Sequence, residues 1–156
     1  MSESFVTRRI ASLAEAEAAL DYFNGFHDGF IRELTLRSYD RFEARGVHAM
    51  SGRLDLEILF AHYNYRDGEP PADQLVRARF NHVGNLVMDI PHRHREWSID
   101  EVRIEPGTRR TGPEEEPCLV GRIVHHRLVD GAWTAREGIA FSFLDAELDE
   151  LFPGAA

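Results

Sequence analysis

At 156 residues, with 43% hydrophobic and 29% charged side chains, the chain has the size and make-up of one globular domain, expected to span 1–156. A net charge of -9 repels phosphate backbones and anionic lipid, which argues against nucleic-acid and membrane partners. All 18 positive side chains are Arg and Cys118 is the sole cysteine, so lysine Schiff-base chemistry, an intramolecular disulfide and a thiolate-rich zinc site are excluded.

Residues 1–10 carry no apolar leader, and nowhere do eighteen apolar residues run together, so a reducing cytoplasm is the expected location. A helix is predicted over 12–23. Ser12 and Glu15 form a capping box, Leu13, Ala16, Ala19, Leu20 and Phe23 share one face, and Asn24-Gly25 supplies a left-handed stop. Glu17 and Asp21 lie off the apolar stripe and suit solvent.

The period then changes to two. Phe30, Leu34 and Leu36 alternate with Glu33, Thr35 and Arg37. Leu54, Leu56, Ile58 and Phe60 alternate with Asp55 and Glu57, and Val76, Ala78 and Phe80 with Arg77 and Arg79, as in antiparallel strands with one buried face. On this reading Asp55 and Glu57 are solvated. Gly84-Asn85 and Asp130-Gly131 tolerate positive φ and predict hairpins pairing 76–83 with 86–90 and 119–129 with 132–143. A further strand is predicted over 97–104, loops over 66–74 and 106–117, and a short helix over 145–152. Cys118 begins an apolar run and reads as a buried hydrophobe, while Trp97 and Trp133 read as core or core-edge. The expected architecture is α+β: an N-terminal helix packed on a curved, mainly antiparallel sheet or sandwich of about seven strands.

Eight histidines supply the candidate chemistry. His27 and Asp28 follow the helix stop and pair an imidazole with a carboxylate, a combination suited to a metal ligand set or an oriented imidazole, although adjacent side chains often point apart and Asp28-Gly29 also suits a plain turn into the strand. If extended, His92 and His94 share a face about 7 Å apart, near enough to share an ion. A third donor would come from His27, Asp28, His62 or His82; the last two continue the apolar parity of their strands. His125 and His126 are adjacent and point to opposite faces, so they act jointly only across a bulge. Tyr63 and Tyr65 face away from His62 near the end of a strand and suit a binding surface. Nucleophile-elbow, metalloprotease, dinucleotide and phosphate-loop motifs do not occur.

Phe26-His27-Asp28 at the exit of a helix, followed by the apolar-faced strand over 30–36, resembles a group of small bacterial proteins that is similar to immunity proteins of polymorphic toxin systems. The closing stretch 139–143 before Asp145-Ala146-Glu147 is a looser likeness. The resemblance covers about the first quarter of the chain on a three-residue motif, and Gly29 and the His-rich segment after Pro91 are not matched. It implies an acidic binding protein without catalysis and transfers no catalytic residue.

The leading expectation is therefore a non-enzymatic, cofactor-free domain that binds a protein partner, through His27, Asp28, Tyr63, Tyr65, His92 and His94. A homo-oligomer is compatible with the same surface. One alternative is a metal-binding domain or metal-dependent enzyme holding a divalent ion such as zinc on His27, Asp28, His92 and His94. Another is a small-molecule binder with a cavity inside the curved sheet.

Overall fold

The computed structural model describes residues 5–46, 48–49, 51–62, 74–89 and 98–151. Helix α1 (Leu13–Tyr22) is capped as predicted by Ser12, whose Oγ accepts from the Glu15 N–H at 3.2 Å; the return bond to Glu15 Oε1 comes from the N–H of Ala11 (3.2 Å), one residue before the cap, and from the Ser12 hydroxyl (3.1 Å). Ala16, Ala19 and Phe23 are buried, and Asn24 and Gly25 adopt φ of 51° and 60°, which ends the helix.

The described residues form eleven strands, two of them only two residues long, instead of seven. A five-stranded antiparallel sheet has the order β1 (Phe5–Ile10), β11 (Asp145–Leu151), β6 (Gln74–Asn81), β5 (Leu54–His62), β2 (Phe30–Ser38). A four-stranded antiparallel sheet has the order β7 (Gly84–Met88), β10 (Ala132–Phe143), β9 (Glu114–Val129), β8 (Ile99–Thr111), and β3 (Arg41–Phe42) pairs with β4 (His48–Ala49). Leu56, Ile58 and Phe60 on one sheet and Ile123, Ile139 and Phe141 on the other belong to one buried cluster, which α1 joins through Ala16, Ala19 and Phe23. Across the layers the Phe80 ring meets Phe141 at 4.7 Å and Phe143 at 5.0 Å. Among the described residues no helix is long and apolar enough to cross a membrane.

Several expectations are corrected. Gly84-Asn85 does not close a hairpin between β6 and β7. His82 takes φ 55°, the Val83 N–H donates to the Leu54 carbonyl, and β7 leaves the first sheet to pair with β10 in the second. The stretch 106–117 is not a loop: β8 and β9 run on to a tight turn at Gly112-Pro113, with Arg109–Glu116 (2.8 Å) and Arg110–Glu115 (3.8 Å) paired across the ladder. The predicted C-terminal helix is β11, whose Ala146 and Leu148 alternate into the core opposite Phe80 and Ala78. A bulge at Arg32 in β2 puts Phe30 on the face opposite Leu34 and Leu36, since Phe30 pairs with Ala61 while Leu34 pairs with Ile58. Trp133 is 56% exposed and is not a core residue. The Asp130-Gly131 hairpin forms as expected, with φ of 49° and 81°, and Cys118 is buried.

Asp55 is also not simply solvated. Its carboxylate accepts from Arg53 Nε (3.1 Å) and Nη2 (2.8 Å), from the Tyr39 hydroxyl (2.8 Å) and from the His82 N–H (3.1 Å). It thereby ties β5 to the corner at which the chain leaves β6 for β7 in the second sheet.

Candidate metal centre

The segment leaving α1 is held against the core by Phe26, which is 1% exposed and stacks on Phe60 at 4.4 Å and on Phe23 at 5.0 Å. Phe26 and Asp28 both take left-handed φ, 57° and 62°. Side chains other than glycine enter that region at a cost, which surrounding packing must offset. Two main-chain bonds then fasten the segment to the start of β8: the Asp28 N–H donates to the Ile99 carbonyl (2.9 Å) and the Ile99 N–H to the Gly29 carbonyl (2.8 Å). Gly29 is needed here because a Cβ would lie 2.8 Å from the Ala61 carbonyl oxygen.

This fastening sets His27 and Asp28 beside two residues from the second sheet. In β9, Ile123 and His125 are buried with the core while His126 points to the other face, as strand alternation requires. In β8 the register shifts between Ile99 and Glu101, so Asp100 is the unpaired residue of a bulge. Bulges re-aim side chains, and Asp100 Oδ1 lies 3.8 Å from His126 Nε2 and 3.9 Å from His27 Nδ1.

His27 Nε2 is 3.6 Å from Asp28 Oδ2, and His126 Nε2 is 3.8 Å from Asp28 Oδ1. The donor atoms of His27, Asp28 and His126 all lie within 4.8 Å of one another. Ligands about 2.0–2.1 Å from a tetrahedral ion stand roughly 3.4 Å apart, so a modest contraction brings the three onto one ion. The His27 ring is also oriented as metal-bound histidines are. Its Nδ1 lies 2.8 Å from the Asp100 main-chain oxygen. A proton on Nδ1 donated to that carbonyl leaves the Nε2 lone pair aimed at Asp28.

Of the residues singled out from the sequence, His27 and Asp28 belong to this cluster. Tyr63, Tyr65, His92, His94 and Trp97 lie outside the described residues. His62 reaches the inner face as its parity requires and is buried edge-on to Phe23 (5.6 Å) and Phe26 (5.5 Å), away from the cluster. His82 sits at the corner between sheets, where its carbonyl receives Arg109 Nη1. His126 and Asp100 are the additions. Strand parity put His125 and His126 on opposite faces without saying which one meets the core, and nothing local announced the bulge at Asp100 or the docking of the α1 exit on β8.

A groove of about 630 Å³ runs between α1 and β8, with His27 and Asp100 in its lining. Comparison with family models, with curated proteins and with solved structures returns no match.

Proposed function

We propose that this chain is a divalent-metal-binding domain whose ligands are His27, Asp28 and His126. The supporting observation is the convergence of those three side chains within 4.8 Å, from elements far apart in sequence. Two imidazoles and a carboxylate suit zinc and the neighbouring transition metals better than calcium or magnesium, which prefer all-oxygen shells. The ion also clips the α1 exit to β9. The test is zinc titration of protein purified without an affinity tag, read by calorimetry and by thermal unfolding. At a hundredfold excess over Kd, an ion bound only by the native state stabilises by about 2.7 kcal/mol. For a chain of this length that is about 8 °C in Tm. His126→Ala is expected to remove the shift; zinc-independent Tm in the wild-type protein refutes the reading.

A second reading keeps the expected protein-binding role of an immunity-like domain. Its support is the net charge of -9 and the exposed apolar side chains of Leu36 (44%) on the edge strand β2 and Phe42 (78%) just beyond it. A single free, buried Cys118 suits the cytoplasm. Recovery of a stoichiometric partner from native lysate, lost on Phe42→Asp, is the expected result, and its absence counts against this role.

A further inference from the structure

We propose that the free edge of β2 is the docking site for a second copy of this chain. The two β2 strands pair antiparallel about Thr35, and the five-stranded sheet of each copy runs on into that of the other.

β2 lies last in its sheet, and among the described residues no strand pairs with its outer side. Such a strand presents a row of unbonded N–H and C=O groups and is a template for another strand. The ladder with β5 shows which groups those are. The Tyr39 N–H donates to the Arg53 carbonyl (3.3 Å), and the same register sets Arg37 opposite Asp55, Thr35 opposite Glu57 and Glu33 opposite Leu59. In an antiparallel ladder, pairs that exchange main-chain bonds alternate with pairs that do not. Glu33, Thr35 and Arg37 therefore bond to β5, while Leu34, Leu36 and Ser38 turn their N–H and C=O groups to the open side.

These groups admit few twofold registers, and the side chains select one. Centred on Thr35, Leu34 of each copy lies opposite Leu36 of the other, and the two exchange main-chain bonds. The inner face then joins half-buried Leu34 to Leu36, which is 44% exposed in the single chain. On the outer face Glu33 stands opposite Arg37 of the other copy, and symmetry repeats the pair. Thr35 meets its own copy between them. These are pairs of the non-bonded kind, whose side chains approach more closely. Both charged side chains are exposed, and neither has an ion pair among the described residues. Centring on Glu33 or on Arg37 sets like charges against each other. Centring on Leu34 or on Leu36 leaves both charges without an opposite partner.

The bulge at Arg32 ends the regular stretch, and a twofold pairing uses the edge up, so the assembly closes at two copies. β1, the opposite edge of the same sheet, carries Arg8 and Arg9 and no acid, so it has no such self-pairing.

Sedimentation equilibrium of the full chain tests this, with a chelator present so that no ion bridges the copies. Each copy carries a net charge of -9, so the measurement is made at about 0.15 M salt, where charges more than about 8 Å apart are screened. The expected result is a monomer–dimer equilibrium for the wild-type protein. Its dissociation constant should rise about tenfold or more in Glu33→Arg and in Arg37→Glu, each of which sets like charges opposite. Combining the two substitutions reverses the pair without breaking it, and should restore the dimer. Wild-type protein that stays monomeric up to about 1 mM overturns the proposal and leaves the edge to a different protein. So does a dimer that neither single substitution weakens, or a double variant that associates no more tightly than the singles.

Discussion

Gly29→Ala separates the placement of the site from the stability of the fold. The added Cβ would lie 2.8 Å from the Ala61 carbonyl oxygen and 3.0 Å from that of Phe26, where ordinary contact begins at 3.4 Å. Both neighbours are main-chain atoms, so neither can swing aside, and the segment must back away by about 0.6 Å, the shortfall against an ordinary contact. Overpacking of this kind costs about 1–3 kcal/mol. The movement also strains the two bonds to Ile99, each worth about 0.5–1.5 kcal/mol. A total loss of roughly 2–4 kcal/mol is expected in urea unfolding at neutral pH. Because those same bonds set His27 and Asp28 against His126, zinc affinity should fall about 10–100-fold, the usual consequence of disturbing groups that orient ligands. Gly121→Ala is the control. Its Cβ meets the buried Phe141 ring at 2.8 Å, which predicts a comparable cost of about 1–3 kcal/mol, but it lies away from the cluster. The reasoning fails if Gly29→Ala matches wild type in both measurements, or if Gly121→Ala loses zinc to the same degree.

Two other outcomes can be measured without metal. Burial raises the Asp55 carboxyl pKa, but hydrogen bonds from Arg53, Tyr39 and the His82 N–H, with the Arg53 charge, outweigh it and hold the pKa below the usual carboxylate range. Its contribution is therefore full above about pH 3.9, the ordinary value, and is lost as pH falls through the lowered one. Asp55→Asn should cost about 1–3 kcal/mol at pH 7, with the deficit shrinking in acid; an equal deficit in urea titrations at both pH values contradicts this. The Cys118 thiol is pushed up by burial and by the Glu116 charge, against the opposing Arg109. A disulfide reagent should modify it at least about tenfold more slowly in the native protein than in urea. Equal rates in both states would show that the thiol is not shielded.

The parts of the fold legible in the sequence are those fixed by neighbours a few residues apart. Ser12 and Glu15 announced α1, the alternation through Leu56, Ile58 and Phe60 named the inner face of β5, and Asp130-Gly131 marked the one hairpin that closes as expected. Errors arose where a local signal had two meanings. Gly84-Asn85 reads as a hairpin turn, yet Leu54 and β10 capture its surroundings. In the acidic 145–152 stretch, Ala146 and Leu148 suit a helix face as well as a strand face, and pairing with β1 and β6 makes it a strand.

The candidate site divides along the same line. His27 and Asp28 stand together in the chain, and the left-handed stop before them was visible in Asn24-Gly25. His126 and Asp100 join them only because Gly29 lets the α1 exit dock on Ile99 and because β8 bulges at Asp100. Side-chain periodicity states which face a residue takes, since it follows from backbone geometry alone. Which faces then meet depends on strand order, register and one skipped ladder position, and these are set by contacts between segments that the chain brings together only on folding.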